Sequence, residues 1–155
     1  MELSIIFLPL IAAIISGFFG KYIGDRNSEI VTSALVSISA LLSIFVLYQV
    51  IVNQYEENIV IATWINSGSL DVNWSMLIDP LSAVMLVVVT SVSSLVHIYS
   101  IGYMSHDPHK PRFMAYLSLF TFAMLMLVTS DNFVQLFFGW EGVVLCSYFL
   151  IGFWF

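Results

Sequence analysis

The sequence predicts an all-α transmembrane protein, a bundle of five membrane-spanning helices with a small β-hairpin on the outer face between the second and third spans. Of the 155 residues, 60% are hydrophobic and 9% are charged, and the mean hydropathy is +0.99. Soluble domains are far less apolar than this. The apolar runs are also too long for the core helices of a soluble protein. We therefore expect a single membrane domain over residues 1–155.

Five apolar segments are long enough to cross a hydrocarbon core of about 30 Å at a helical rise of about 1.5 Å per residue. They cover residues 3–23, 30–52, 80–104, 113–129 and 132–155. Asp79 and Pro80 predict the start of the third span, because Asp is a favoured N-cap and Pro is tolerated at the first helical position. Pro108 and Pro111 disfavour a helix in the loop that precedes the fourth span.

Residues 59–76 break this pattern and predict a β-hairpin. Residues 59–65 are apolar and rich in β-branched side chains, residues 66–69 carry a turn signal, and residues 70–76 alternate between apolar and polar. The apolar face of the second strand consists of Leu70, Val72, Trp74 and Met76. We expect this face to lie against the membrane surface or a partner.

The loop charges predict the orientation in the membrane. The four basic residues lie in the loops after the first and third spans, and they are Lys21, Arg26, Lys110 and Arg112. The loop after the second span contains acidic residues and neither Lys nor Arg. The positive-inside rule therefore places the N-terminus and the hairpin outside. The presence of only four basic residues also argues against a nucleic-acid partner. The lipid bilayer is the expected partner of the apolar spans.

One full charge, Glu141, lies near the middle of the fifth span, about 15 Å along the helix from Asp131. A carboxylate at that depth costs at least about 2.5–3.5 kcal/mol, so the default interpretation of Glu141 is functional. It would be a proton or ion relay, or the counter-charge of such a relay. Gly139, Gly142 and Cys146 form a stripe of small residues about 100° around the helix from Glu141. We therefore expect a close helix contact beside the carboxylate and a buried, protein-facing site.

A second candidate is the polar stripe of the third span. Thr90, Ser93, Ser94, His97 and Ser100 recur every three or four residues and share one helix face. Such a stripe faces the bundle interior or a hydrated path rather than lipid. His97, with Ser93 and Ser100, is therefore a candidate proton path, and a hydrogen-bonded packing histidine is the alternative.

The sequence predicts no metal and no cofactor site. His106, Asp107 and His109 are spaced like metal ligands, but the flanking prolines disfavour a helix there and no third or fourth ligand is evident. Clustered cysteines and a Gly-rich nucleotide fingerprint are both absent from the sequence. Cys146 lies in an apolar run, which favours a packing role.

Three stretches resemble the largest antiporter-like membrane subunit of respiratory complex I. They are I-D-P-L-S-A-V-M at 78–85, H-I-Y-S-I-G-Y-M at 97–104, and residues 137–155 with the motif G-W-E-G-V. The resemblance extends over essentially the whole chain. It implies that Glu141 is the glutamate that pairs with a lysine two helices further on and takes part in proton translocation. It also implies that the face of His97 contributes to a hydrated interior. Val144 stands where this family usually has Gly.

The resemblance also implies a subunit several times longer, with a dozen or more spans. The chain is then an N-terminal piece without the partner lysine, and alone it is not expected to pump protons. It would carry no redox centre, since NADH, FMN, iron–sulfur clusters and quinone belong to other subunits of an NADH:quinone oxidoreductase. Other membrane subunits of complex I are the expected partners. The expected location is a bacterial inner membrane or the mitochondrial inner membrane, as a multi-pass protein.

Three other functions stay open at this point. The chain also resembles the large subunit of a multisubunit cation/proton antiporter, which genomic neighbours or copurification with NADH:quinone oxidase activity would distinguish. It could instead be a non-pumping remnant that only packs in a membrane assembly. An independent small channel or sensor is the least supported, because one carboxylate without a partner makes no path.

Overall fold

The computed structural model describes residues 1–154, and these residues form five helices and one two-stranded antiparallel sheet. In chain order the elements are α1 (Glu2–Ile23), α2 (Asp25–Asn53), β1 (Glu57–Ser67), β2 (Leu70–Ile78), α3 (Pro80–Tyr103), α4 (Lys110–Val128) and α5 (Phe133–Ile151). All five helices are long and apolar enough to cross a membrane. The predicted all-α transmembrane fold with a hairpin between the second and third spans is confirmed.

Two helices begin three or more residues earlier than predicted. α2 begins at Asp25 instead of residue 30, because the whole turn between the first two spans is made by Gly24 at a φ of 89°, a conformation that favours glycine. α4 begins at Lys110 instead of residue 113. Pro111 is compatible with this start, since the first turn of a helix leaves its N–H groups without intrahelical partners.

The fifth helix is shorter than predicted. α5 ends at Ile151, and Gly152 follows as its C-cap. Its 19 residues extend over about 28 Å, which is still close to the thickness of the hydrocarbon core. The predicted span ran to Phe155, which lies outside the described residues.

The helices pack in a fixed set of pairs, with α4 in contact with the other four. α1 packs on α2 and α4, α2 packs on α3, and α5 packs on α4. A hydrophobic core fills the end of the bundle where the ends of α1 to α4 meet β2. It consists of Ile5, Ile6, Val46, Val50, Met76, Ile78, Ala83, Leu86, Leu125 and Met126.

The hairpin closes this end of the bundle. β1 and β2 are joined by a two-residue turn in which Gly68 has a φ of 63°. Val72, Met76 and Ile78 of β2 are buried, whereas most of β1 is exposed. The expectation that the hairpin lies on the membrane surface or on a partner was therefore wrong for β2, which packs on the helices of its own chain. The strands also extend two residues further at each end than predicted, over 57–78.

One edge of β2 pairs with β1, and its other edge is covered by the turn between α4 and α5. The Leu77 N–H donates to the carbonyl of Thr129 (2.9 Å). The side-chain amide of Gln135 donates to the Ser75 carbonyl (2.7 Å) and accepts from the Ser75 N–H (3.0 Å). Gln135 thus bonds to the strand as a neighbouring strand would, and it anchors the start of α5. A covered edge cannot pair with another chain.

Candidate functional site

The carboxylate of Glu141 lies near the middle of α5. This helix begins after Asn132, whose side chain accepts a hydrogen bond from the Gln135 N–H (2.8 Å) as an N-cap. Glu141 is about 12 Å along the helix axis from Phe133 and about 15 Å from Ile151. It is therefore close to the midpoint of this span.

α5 packs on α4 through the predicted stripe of small residues. A Cβ atom added to Gly139 would lie 2.9 Å from the backbone N and Cα of Leu127. A Cβ atom added to Gly142 would lie 3.2 Å from the Cβ of Ala123. Cys146, one turn further on, is buried as well. The predicted close helix contact is confirmed, and Gly139 lets the two backbones touch.

The side chain of Glu141 lies on the opposite side of α5 from most of this contact. It is exposed, and its carboxylate forms no ion pair within residues 1–154. The expectation that the small-residue contact buries the carboxylate was wrong for these residues, because α4 covers only one side of α5. The exposed face also carries large apolar side chains, which are Phe137, Phe138, Trp140, Val144, Leu145 and Tyr148.

His97 is fully buried between α3 and α4 in a hydrogen-bonded network. Its Nδ1 lies 2.7 Å from the Ser93 carbonyl, which can only accept, so Nδ1 carries a proton. Its Nε2 lies 3.0 Å from the Ser118 hydroxyl, which therefore donates to it when the imidazole is neutral. The Ser93 hydroxyl in turn lies 2.5 Å from that of Thr121. We call these four side chains the histidine network.

The other hydroxyls of the predicted stripe bind elsewhere. Ser94 pairs with Ser37 (2.8 Å) and Thr90 pairs with Ser43 (2.7 Å), so both join α3 to α2. Ser100 is buried and donates to a carbonyl of its own helix. The shared face is thus divided between two neighbouring helices.

The structure does not bring the two candidate sites together. On α4, Ser118 and Thr121 face α3, whereas Ala123 and Leu127 face α5. At about 100° per residue these pairs lie on roughly opposite sides of the helix. α4 therefore separates the exposed carboxylate of α5 from the histidine network.

Sequence reasoning missed Ser118 and Thr121. The two residues are buried in an apolar span. They are three residues apart in the sequence, which places them on one helix face. This spacing is the signal that could have identified them.

The loop between α3 and α4 is held together by Asp107. Its carboxylate accepts from the His109 N–H (2.7 Å) and from the Trp154 indole (2.7 Å), and these bonds hold the pKa of Asp107 below its usual range. Within residues 1–154 no three His, Cys, Asp or Glu side chains are grouped as metal ligands.

These features define a class, the polytopic membrane proteins that carry a carboxylate at mid-depth in one span and a buried histidine network in another. Residues 64–114 match the family model described as the N-terminus of NADH-ubiquinone oxidoreductase (complex I) chain 5.

Relatives from distant eukaryotes extend this match to the whole chain. NADH-ubiquinone oxidoreductase chain 5 of Arabidopsis thaliana is 56% identical over 155 residues, which is 100% of this chain and 23% of the relative. Chain 5 of Phytophthora infestans is 54% identical over 99% of this chain and 23% of the relative. The chain belongs to the NADH-ubiquinone oxidoreductase chain 5 family, and it spans about a quarter of the length of these relatives. It is a multi-pass integral protein of an inner membrane, as the sequence predicts.

Proposed function

We propose that this chain is the N-terminal part of the proton-translocating membrane subunit of NADH:quinone oxidoreductase. It forms a single membrane domain that helps to couple quinone reduction to proton transport. The observation that carries the proposal is the full charge of Glu141 at mid-depth in an apolar span. The relatives named above support complex I over a cation/proton antiporter. NADH, FMN, iron–sulfur clusters and quinone are bound by other subunits.

In this proposal, further protein covers the exposed face of α5, on which Glu141 lies. If it faced lipid, Glu141 would cost at least about 2.5–3.5 kcal/mol. The relatives are about four times longer than this chain, so their remaining residues can supply the cover. Other membrane subunits of complex I are the expected neighbours of the whole subunit.

Glu141 acts by taking up and releasing a proton. A low dielectric disfavours the charged form of a carboxyl, whereas a nearby cation such as a lysine ammonium stabilises it. Moving the cation away removes that stabilisation, and the carboxylate takes up a proton. A conformational change elsewhere thereby becomes a change of protonation in α5.

The histidine network is the second proton-handling group of this proposal. His97 has one protonated and one accepting nitrogen, and the Ser118 hydroxyl can turn to accept when Nε2 is protonated. Ser93 links the imidazole to Thr121, and Ser100 adds a hydroxyl one turn further inward. The alternative is a packing role, in which the histidine network only holds α3 against α4.

The test replaces Glu141 in the assembled enzyme. Glu141→Gln keeps the shape of the side chain and removes its titration, so we expect proton translocation to be lost while the protein still assembles. Glu56→Gln, in the exposed loop after α2, is the control. The measurement is the number of protons translocated per NADH oxidised in sealed vesicles. An unchanged ratio in the Glu141→Gln enzyme would show that this assignment is wrong.

A further inference from the structure

A second carboxylate, Glu29, lies inside the bundle near the start of α2. It is 5% exposed, and the helices of this chain themselves bury it. One of its carboxylate oxygens, Oε1, has no hydrogen-bond partner within residues 1–154. The same holds for the hydroxyls of Ser28 and Ser33, which are also buried. The sequence alone suggests a solvated turn here, because Glu29 follows several polar residues.

Three unpartnered buried oxygen atoms in two helical turns indicate internal hydration. Buried polar groups in native proteins are almost always bonded to protein or to ordered water. Glu29 and Ser33 are four residues apart and so share one helix face, and Ser28 lies beside them. A site with several such oxygens can give a water molecule the two to four polar partners that it needs.

A cavity lies near this site at the basic end of the bundle. α1 and α4 approach closely at Gly20, where an added Cβ would lie 2.5 Å from the Cβ of Pro111 and 3.5 Å from the Ser28 hydroxyl. A cavity of about 590 Å³ opens beside this junction. Its polar lining includes Ser16, Lys21, Asp25, His109 and Arg112. The positive-inside rule makes this end the inner one.

The charges around Glu29 do not lock it in an ion pair. The groups that act on it electrostatically are Lys110 of α4, which is opposite in sign, and Asp25, which is alike. No cation lies within 4.0 Å of the Glu29 carboxylate among the described residues. Glu29 therefore keeps the freedom to exchange a proton.

Polar groups continue from Glu29 into the bundle. The Ser37 hydroxyl donates to the Ser33 carbonyl (2.7 Å) and contacts the Ser94 hydroxyl of α3 (2.8 Å). Ser94 is adjacent in sequence to Ser93 of the histidine network. Glu29 lies about 6 Å from the inner end of α2 and His97 about 9 Å from the inner end of α3, so the two are at similar depth.

We propose that Glu29 is a hydrated proton-exchanging carboxylate at the inner end of the bundle, which takes protons from the inner aqueous side and passes them through water to the histidine network. The proton binds a carboxylate oxygen, neutralises it, and leaves that oxygen again to water. The transport role rests on the proposed function, whereas protonation of Glu29 does not.

The first experiment detects the protonated form in the assembled enzyme. A hydrophobic carbodiimide reacts with protonated carboxyl groups, and peptide mass spectrometry locates the adduct. We expect modification at Glu29 that increases as the pH falls. An absence of modification at every pH, or modification that does not change with pH, would overturn the inference even if variants fail to assemble.

The second experiment compares variants of the same enzyme. Glu29→Gln should lose proton translocation per NADH oxidised, whereas Glu29→Asp, which keeps a titratable carboxyl, should retain it. Glu56→Gln is again the control. If Glu141→Gln abolishes translocation but Glu29→Gln does not, the inference about Glu29 fails and the proposed function stands. If Glu141→Gln pumps normally, the proposed function fails, and the carbodiimide result for Glu29 still decides whether it is protonated.

Discussion

Asp79 shows at the scale of one residue how a span begins at a fixed position. Its carboxylate accepts from the Ser82 N–H (2.7 Å), and the Ser82 hydroxyl accepts from the Asp79 N–H (3.1 Å). This reciprocal capping box satisfies N–H groups that the first turn of α3 leaves without partners. A hydrogen bond from the Ser82 hydroxyl is the main reason that the pKa of Asp79 lies below its usual value.

The capping role of Asp79 predicts a pH-dependent stability. Because the folded state lowers the pKa, the stabilisation is present above the ordinary value of about 3.9 and is lost as the pH falls through the lowered value. Asp79→Ala should therefore lower the free energy of unfolding by about 1 kcal/mol at neutral pH. The difference from the wild type should shrink below pH about 4.

Thermal unfolding in detergent, followed by circular dichroism, measures this difference. Asp79→Asn is the matched control, since Asn caps a helix equally well but does not titrate. A gap between the wild type and Asp79→Ala that stays constant through the acid range would contradict the prediction.

At the scale of the element, the position of α5 depends on one backbone contact. Gly139 brings α5 so close to α4 that any side chain there would meet the Leu127 backbone, which cannot rotate away. This contact sets which side of α5 is buried. The direction in which Glu141 points is therefore determined by a glycine half a turn away.

Gly139→Ala should force the two helices apart. Overpacking of this kind costs about 1–3 kcal/mol of the free energy of unfolding. Gly102→Ala is the matched control, because Gly102 is also helical but, among residues 1–154, a Cβ added there meets nothing within 4 Å beyond its own stretch of helix. Thermal unfolding of both variants tests this. Equal stability of the two variants would mean that α4 and α5 are not in backbone contact.

At the scale of the whole molecule, the two ends of the bundle differ in charge and in structure. The inner end carries the basic residues, and Lys21 and Arg112 line the same cavity there. The outer end is closed by the hairpin and by the hydrophobic core beneath it. The names inner and outer follow from the positive-inside rule, so the orientation stays a prediction.

Cysteine labelling tests the orientation. In sealed vesicles a membrane-impermeant maleimide should label Ser69→Cys, in the hairpin turn, from the outer side, and Ser105→Cys, in the loop after α3, from the inner side. Both positions are exposed, whereas the native Cys146 is buried, so Cys146 should remain unlabelled. Labelling of both variants from the same side would exclude this topology.

Much of this fold follows from local sequence. The number of spans depends on apolar length, and the start of α3 depends on the side chains of Asp79 and Ser82. The early starts of α2 and α4 were missed, because a single glycine made the first turn and Pro111 fits inside a helix whose first turn lacks partners anyway. The hairpin was predicted from its alternation and turn residues, but its packing onto the chain's own helices was not.

The number of membrane crossings, the family and the depth of Glu141 can all be predicted from the sequence, because each of these depends on the order of residues along one segment. Which polar groups are covered cannot be predicted in this way. The folded chain leaves Glu141 exposed, buries Glu29, and joins His97 to Ser118 and Thr121. Burial depends on which helices arrive as neighbours, and those contacts join residues that are far apart in the sequence.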